Sequence, residues 1–346
     1  MAGRIMSDSL RAPLEYVSDI IDVRMEIKRT VDSPSTAART LIDYLERRIT
    51  ALTSDRGLEH GIMLSGGIDS ILVAAVARRL SIDLVAVTYA VDAPQLDGSH
   101  NDETGAVAVA KHLGFEHHVV RSSTAELLDS AIAASKLLNS TEIWEISSAV
   151  PIRACFKEFS RLGINGPILT GSGADALFLG GKRLNSPVSS SSAIHEMNSM
   201  IEQQVLRNFS RKRLIPDFFE RILGESCDRF VQIFQTVEAW QFSKTLLPSA
   251  LFSTNGNHED KLCLRMAAEM LGVPRELTRS KKDPIQYSSG VVGGIVLEAR
   301  KYLAQLPGAE TYTSPLTEPL DLSIARLFLL APQVRDRSDD SIEQNS

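Results

Sequence analysis

The sequence predicts an α/β fold, a doubly wound parallel sheet followed by a mainly helical C-terminal part. Three observations carry that expectation. Short apolar runs, Gly61–Leu64 and Pro167–Thr170, each end in a glycine-rich turn. Helical patterns alternate with such runs from residue 36 to residue 185, the signature of strand–helix–strand units. After the low-complexity stretch Pro187–Ser192 the pattern turns mainly helical.

Residues 1–35 form an N-terminal extension in which Leu14–Val17 and Ile20–Val23 read as one or two short strands. Leu41, Ile42, Leu45, Ile49 and Leu52 recur at helical spacing and predict a helix over 36–52. The run at 61–64 is the first core strand, and 71–80 continues as a helix. Ile82–Tyr89 is apolar and β-branched, as a strand buried on both faces should be. A polar stretch, Asp92–Asn101, precedes a helix from Asp102 to Leu113 that stops at Gly114. Then come a strand at His117–Val120, a helix at Thr124–Leu138 capped by Ser123 or Thr124, a helix at Ala149–Leu162, and the strand at 167–170. The chain therefore divides into the extension, an α/β core at 36–185, a helical part at 186–334 that completes the site, and a polar, disordered tail at 335–346. Helices are expected at Ala193–Asn208, Pro216–Leu223, Cys227–Trp240 and Asp260–Leu271. The basic run of Arg207, Arg211, Lys212 and Arg213 reads as a solvated helix end, with a substrate-binding patch as its other reading.

The composition excludes several classes. The 346 residues are 43% hydrophobic and 23% charged, ordinary for a globular enzyme. A net charge of −6 argues against a large nucleic-acid surface. No run of 18 apolar residues suggests a membrane span, and Met1–Arg4 leads into no signal-peptide core. Cys155, Cys227 and Cys263 lie far apart, which reads as buried free thiols in a reducing cytoplasm.

The chemistry concentrates in Ser65-Gly66-Gly67-Ile68-Asp69-Ser70. A strand, a tight turn and a helix start succeed one another there. Such a turn gathers backbone N–H groups that no helical bond uses, and the helix dipole adds positive potential. Two glycines let the chain bend and let a phosphate approach the backbone. Ser65 and Ser70 add hydroxyls, and Asp69 suits a metal ion facing the phosphates. No G-K-[ST] comes after it, so this is not a Walker A loop. A second glycine-rich turn, Gly171-Ser172-Gly173-Ala174-Asp175, ends another strand. If the two strands are neighbours, Asp69 and Asp175 meet in one crevice and suit Mg²⁺, which binds few protein oxygens.

Ser65–Ser70 resembles the SGG-x-DS pyrophosphate loop of the ATP pyrophosphatase superfamily. Gly171–Gly181 resembles the G-x-G-A-D-E-L-F-G-G signature of the asparagine synthetase family's synthetase domain. Asp102-Glu103-Thr104 with Leu113-Gly114 and His117-His118, then Ser148–Pro151, are similar to further segments of that family. Arg279-Ser280-Lys281-Lys282 through Gln286-Tyr287 is similar to the R-x-K-K-x-x-x-Q-Y stretch of its short, archaeal-type members, with Asn257–Lys261 and Leu271–Pro274 fitting the segment before it. There are three departures. Ala2, not a catalytic cysteine, comes after Met1, and the N-terminal extension is too short for a glutaminase domain. Ala176 replaces a glutamate after the aspartate, and Ser172 replaces another between the glycines.

The resemblance implies an adenine nucleotide alpha hydrolase-like fold and an ATP-dependent, AMP-forming amide synthetase. Ser65, Gly66, Gly67, Ser70, Gly171 and Gly173 would cradle ATP, and Asp69 and Asp175 would hold Mg²⁺. Leu64 and Val87 are candidate adenine contacts, with plain core as their other reading. Lys281, or its neighbour Lys282, would touch the leaving pyrophosphate. Glu142 or Glu145 would accept the amine's proton, the two sharing a face if they stand on a helical turn. The substrates would be a carboxylic acid, aspartate or a specialised one, and ammonia or an amine. The nitrogen would come from solution or from a separate amidotransferase subunit, with no nucleic acid or membrane partner; a homodimer is compatible with the family. A nucleotide-binding regulatory subunit and a tRNA-modifying adenylating enzyme are the alternatives.

Overall fold

The computed structural model describes residues 10–55, 57–92, 102–253, 259–280, 284–308 and 314–330. Its centre is a parallel five-stranded sheet in the order β3-β2-β1-β4-β5, with helices on both faces. Strands β1 (His60–Met63), β2 (Leu84–Asp92), β3 (Glu116–Ser123) and β4 (Ile168–Thr170) stand where alternation predicts them. The doubly wound parallel class expected from sequence is the one observed. The chain order reverses between β1 and β4, which are paired through Gly61 with Ile168 and Ile62 with Leu169. Loops leaving two such strands diverge and leave a crevice at their carboxyl ends.

One face of the sheet carries α2 (Pro34–Leu52), α3 (Ile68–Arg79) and α4 (Asp102–Leu113). Ser33 caps α2, accepting the backbone N–H of Thr36. Helix α3 is apolar all round, Ile71–Ala77 being buried, as the helix under a parallel sheet should be. The other face carries α5 (Thr124–Leu138) and α6 (Ile143–Arg161). Ser123 and Glu126 form a reciprocal capping box at the start of α5, a device that contributes ~1 kcal/mol. Helix α6 lies against β1 because Gly61 has no side chain: a Cβ there would stand 2.5 Å from the Phe159 ring.

Four expectations are corrected. The extension contains a short helix, α1 (Val17–Ile20), rather than a strand. Neighbouring elements hold it in place: Arg48, buried on α2, donates to the carbonyls of Leu10 and Ala12, and Pro13 O accepts from Gln232 N. The helix expected at 227–240 is instead a 3₁₀ turn (Gly224–Arg229), strand β5 (Phe230–Gln232) and α10 (Val237–Thr245). Three residues buried on every side carry no periodicity, so β5 is illegible in the sequence. The boundary at 185/186 therefore does not mark the end of the sheet, whose last strand lies beyond it. Helix α6 begins at Ile143 rather than Ala149 and tolerates Pro151 inside it.

Further elements are α7 (Ala174–Phe178), α8 (Ser191–Asn208), α9 (Phe218–Leu223), α11 (Pro248–Leu251), α12 (Leu262–Met270), α13 (Arg275–Thr278), α14 (Ile285–Ser288) and α15 (Val291–Ala304), and residues 320–330 are helical. Helix α12 packs on α2 and α3, and α15 packs on α5. The C-terminal part thus wraps both faces of the core.

Candidate active site

A cleft of about 1090 Å³ opens over the carboxyl ends of the strands. Its walls include Leu64, Ser65, Asp69 and Ser70 from the first loop, Gly171, Ser172 and Asp175 from the second, and Val87 from β2. The Ser65–Ser70 turn is knit internally. Ser70 Oγ donates to Gly67 O at 3.0 Å and accepts from Ser65 N at 3.2 Å. Thr88 on β2 supports it from below, donating to Leu64 O at 2.5 Å, with His117 Nε2 at 2.8 Å from the same hydroxyl. Gly67, the N-cap of α3, makes no side-chain cap hydrogen bond, and the first N–H groups of a helix have no partner within it.

Gly171 is what brings the two loops together. A Cβ there would meet Ser70 N at 2.6 Å and Asp69 C at 2.7 Å. Gly66, Gly67 and Gly173 shape the turns without lining the cleft. Gly66 adopts φ +67°, and Gly173, at φ +95°, lies against Phe234 and Gln235.

Asp69 and Asp175 converge, as expected of neighbouring strand ends, and they converge on a lysine. Lys261 Nζ lies 2.7 Å from both Asp69 carboxylate oxygens and 2.5 Å from Asp175 Oδ1. The lysine is buried, Asp69 nearly so, and Asp175 open to solvent. Burial opposes the ammonium charge, but the attraction of Asp175 and Asp69 together outweighs it and raises the lysine's pKa. Gly180 leaves the room: a Cβ there would stand 2.2 Å from Lys261 Cε.

Further cations continue this wall. Lys182, Arg183, Arg265 and Arg279 line the cleft with Lys261. Asp260 ties them together, accepting from Gly181 N at 2.6 Å and pairing with Arg265 at 2.7 Å. Arg279 pairs with Glu269 at 2.9 Å and with Glu259. Lys281 and Lys282, the lysines singled out from sequence, lie outside the described residues, as does the tail at 335–346.

The two candidate bases part company. Glu142 is the N-cap of α6, accepting Trp144 N at 3.3 Å, and is absent from the described cleft wall. Glu145 lines the cleft, its oxygens 2.5 and 2.6 Å from Arg213 Nη2. Capping turns the Glu142 side chain back on its own helix, and Glu145 is the one of the two in the cleft wall. Arg213 corrects a second expectation. Arg211 does pair at the surface with Asp217 and Glu220, but Arg213 turns inward, 4.9 Å from the Phe218 ring centroid. Nearby, Gln286 donates to Ser148 Oγ at 2.8 Å, both in the wall.

Sequence reasoning misses Lys261 as a site residue, although it closes the family-like segment Asn257–Lys261. The available signal is a lysine abutting the apolar run Leu262-Cys263-Leu264. Of the two departures inside the second motif, Ala176 points into the hydrophobic core and Ser172 lines the cleft. Cys155 also lines the cleft, and burial pushes its thiol pKa up, so it stays protonated.

A family model matches the stretch of sequence that carries both glycine loops. The model for asparagine synthase aligns with residues 45–238. The chain belongs to the asparagine synthase family. It is 27% identical over 129 residues to the glutamine-hydrolysing asparagine synthetase B of Escherichia coli K12, a match covering 35% of this chain and 23% of that protein. It is 30% identical over 128 residues to the glutamine-hydrolysing asparagine synthetase 1 of Arabidopsis thaliana, covering 35% and 21%. The chain thus matches about a quarter of the length of these asparagine synthetases. An NMN synthetase structure from Francisella tularensis aligns with a TM-score of 0.31 and 16% identity, over 73% of this chain and 98% of that one.

Proposed function

We propose that this asparagine synthase family member is an AMP-forming amide synthetase. It joins a carboxylic acid to ammonia or an amine and splits ATP to AMP and pyrophosphate. The observation that carries the reading is the convergence of Asp69, Asp175 and Lys261 at the mouth of the Ser65–Ser70 turn. A carboxylate is a poor acylating agent because oxide would have to leave. Its attack on the α-phosphate makes an acyl-adenylate, and the leaving pyrophosphate gathers negative charge that donors and cations must meet. The turn supplies N–H groups and the Ser65 and Ser70 hydroxyls. Lys261 supplies a cation held charged, and Lys182, Arg183, Arg265 and Arg279 extend the positive wall.

Both carboxylates meet at Lys261 Nζ, so an ion that keeps most of its ligands as water and phosphate oxygen would share them with the lysine. Asp69 and Asp175 would hold Mg²⁺, which would neutralise phosphate charge. The adenine lies against the β1–β2 side, where Leu64 and Val87 line the cleft. In the second half-reaction the amine attacks the acyl carbon, the C–O bond to AMP breaks, and Glu145 takes the amine's proton. Lys281 remains the sequence's candidate for the pyrophosphate.

The test is exchange of radiolabelled pyrophosphate into ATP, with Mg²⁺, against a panel of carboxylic acids headed by aspartate. Acid-dependent exchange that disappears in Asp69→Ala is expected. Exchange with no acid by a protein that still binds ATP would overturn adenylation and favour a regulatory subunit.

A further inference from the structure

A smaller chamber of about 370 Å³ adjoins the cleft. Four residues line both spaces: Lys182, Arg183, Glu259 and Asp260. The other walls of the chamber come from the segment before α8, among them Leu184, Ser186 and Val188, and from Phe252 and Ser253 after α11. The cations around the two spaces are unequal. Lys261 is held by Asp69 and Asp175, Arg265 by Asp260, and Arg279 by Glu259 and Glu269. These three face the cleft and not the chamber, and their pairs also engage both acids of the shared wall.

Lys182 and Arg183 differ. Both are exposed, and among the described residues their side chains make no hydrogen bond or ion pair. Two uncompensated positive charges therefore stand where the two spaces meet, and such charges draw anions to a cleft. Their main chain is anchored. Gly180 packs on Asp175 and Lys261, Gly181 turns at φ +69° and donates to Asp260 at 2.6 Å, and Lys182 N donates to Leu179 O at 3.1 Å. A fixed backbone carrying two long, unpaired cationic side chains can take an anion in one space and give it up in the other.

We infer that the chamber is a second pyrophosphate site, which receives the ion from the Ser65–Ser70 turn through Lys182 and Arg183 and passes it to solvent. The inference rests on the proposed synthetase reading. Adenylation leaves pyrophosphate beside the acyl-adenylate. A pyrophosphate oxygen can attack the same phosphorus, expel the carboxylate and re-form ATP, so the forward reaction gains when the ion leaves before the amine attacks. The chamber leads it away from Glu145, which lines the cleft and not the chamber. Leu184, Val188 and Phe252 offer the ion no contact, and Ser186, Ser189 and Ser253 offer only hydroxyls. With two exposed cations as its main hold, the site binds weakly and loses affinity as salt rises, as a place of exit requires.

The experiment is equilibrium dialysis of the full chain against radiolabelled inorganic pyrophosphate with Mg²⁺ present. Two ions should bind per chain, one in the turn and one in the chamber. Saturating α,β-methylene ATP should displace the first and leave the second. Lys182→Ala/Arg183→Ala should weaken the second by at least about tenfold, since two unit charges in contact with it are lost. Ser186→Trp and, independently, Ser189→Trp fill the chamber; each should remove the second ion and leave affinity for the ATP analogue unchanged. With AMP bound, release of pyrophosphate from the turn should be slower in both tryptophan variants. A single ion per chain, fully displaced by the analogue, would overturn the inference and leave the synthetase reading standing. The same holds for a second ion that survives both tryptophan variants, for orthophosphate bound there as tightly as pyrophosphate, and for an unchanged release rate. Failure to bind the analogue would overturn the synthetase reading and this inference with it.

Discussion

A single buried lysine decides the electrostatics of the cleft. Lys261 lies within 2.7 Å of Asp69 and within 2.5 Å of Asp175, and it starts α12 with a left-handed backbone, φ 52°. Removing one member of a buried ion pair typically costs about 3–5 kcal/mol, because the other charge stays behind unpaired. Here Asp175 can turn to water but Asp69 cannot. Lys261→Met should therefore lower stability toward the small end of that range and abolish pyrophosphate exchange, as read by urea unfolding and by the exchange assay. Unchanged exchange would remove Lys261 from the phosphate wall. Glu142 illustrates the converse. Its chemistry would allow a base, but its place as a helix cap gives it a different task.

Between elements, the contact that builds the site is the one between the β4 loop and the start of α3. Gly171 is its pivot, with Ser70 N and Asp69 close enough to exclude even a methyl group. Overpacking a closely fitted place costs about 1–3 kcal/mol and displaces backbone. Gly171→Ala should part the two loops, weaken ATP binding at least tenfold, and leave the far-ultraviolet circular dichroism spectrum near that of the parent. If ATP binding were unaffected, the loops would not act as one cradle. The fit of Phe159 over Gly61 plays a structural part on the opposite face, seating α6 and with it Glu145 and Ser148.

At the scale of the molecule, two histidines of the sheet, His60 buried and His117 half-buried, contribute to the pH dependence of stability on the acid side. Both have pKa values lowered from 6.5, chiefly by burial; for His117 the neighbouring His118 adds to it. The unfolded chain then binds more protons than the folded one once the pH drops below the unfolded value. Their contribution is therefore complete above about pH 6.5 and is lost as pH falls through the lowered folded values. Thermal melts should show Tm declining from pH 6.5 downward, and less steeply in His117→Asn. Because His117 touches Thr88, which supports Leu64, ATP binding should weaken over the same interval. A flat profile between pH 7 and 5 would deny both effects.

The sequence by itself determined the fold class, four of the five strands and the two glycine loops. It did so because these are local properties: strand–helix alternation, the need for small residues where backbones meet, and a helix start marked by Ser123. It also brought Asp69 and Asp175 together in expectation, since neighbouring parallel strands deliver their loops to one crevice. Three results came only from tertiary structure. Strand β5 is too short and too buried for periodicity, and its membership in the sheet comes from pairing with β4. Lys261 lies 192 residues along the chain from Asp69, and no local pattern encodes a partner at that distance. Arg213 belongs to a basic run in which Arg211 stays at the surface. Its inward turn was decided by Glu145 on one side and the Phe218 ring on the other, because a charge leaves water only where folding has already placed its partner.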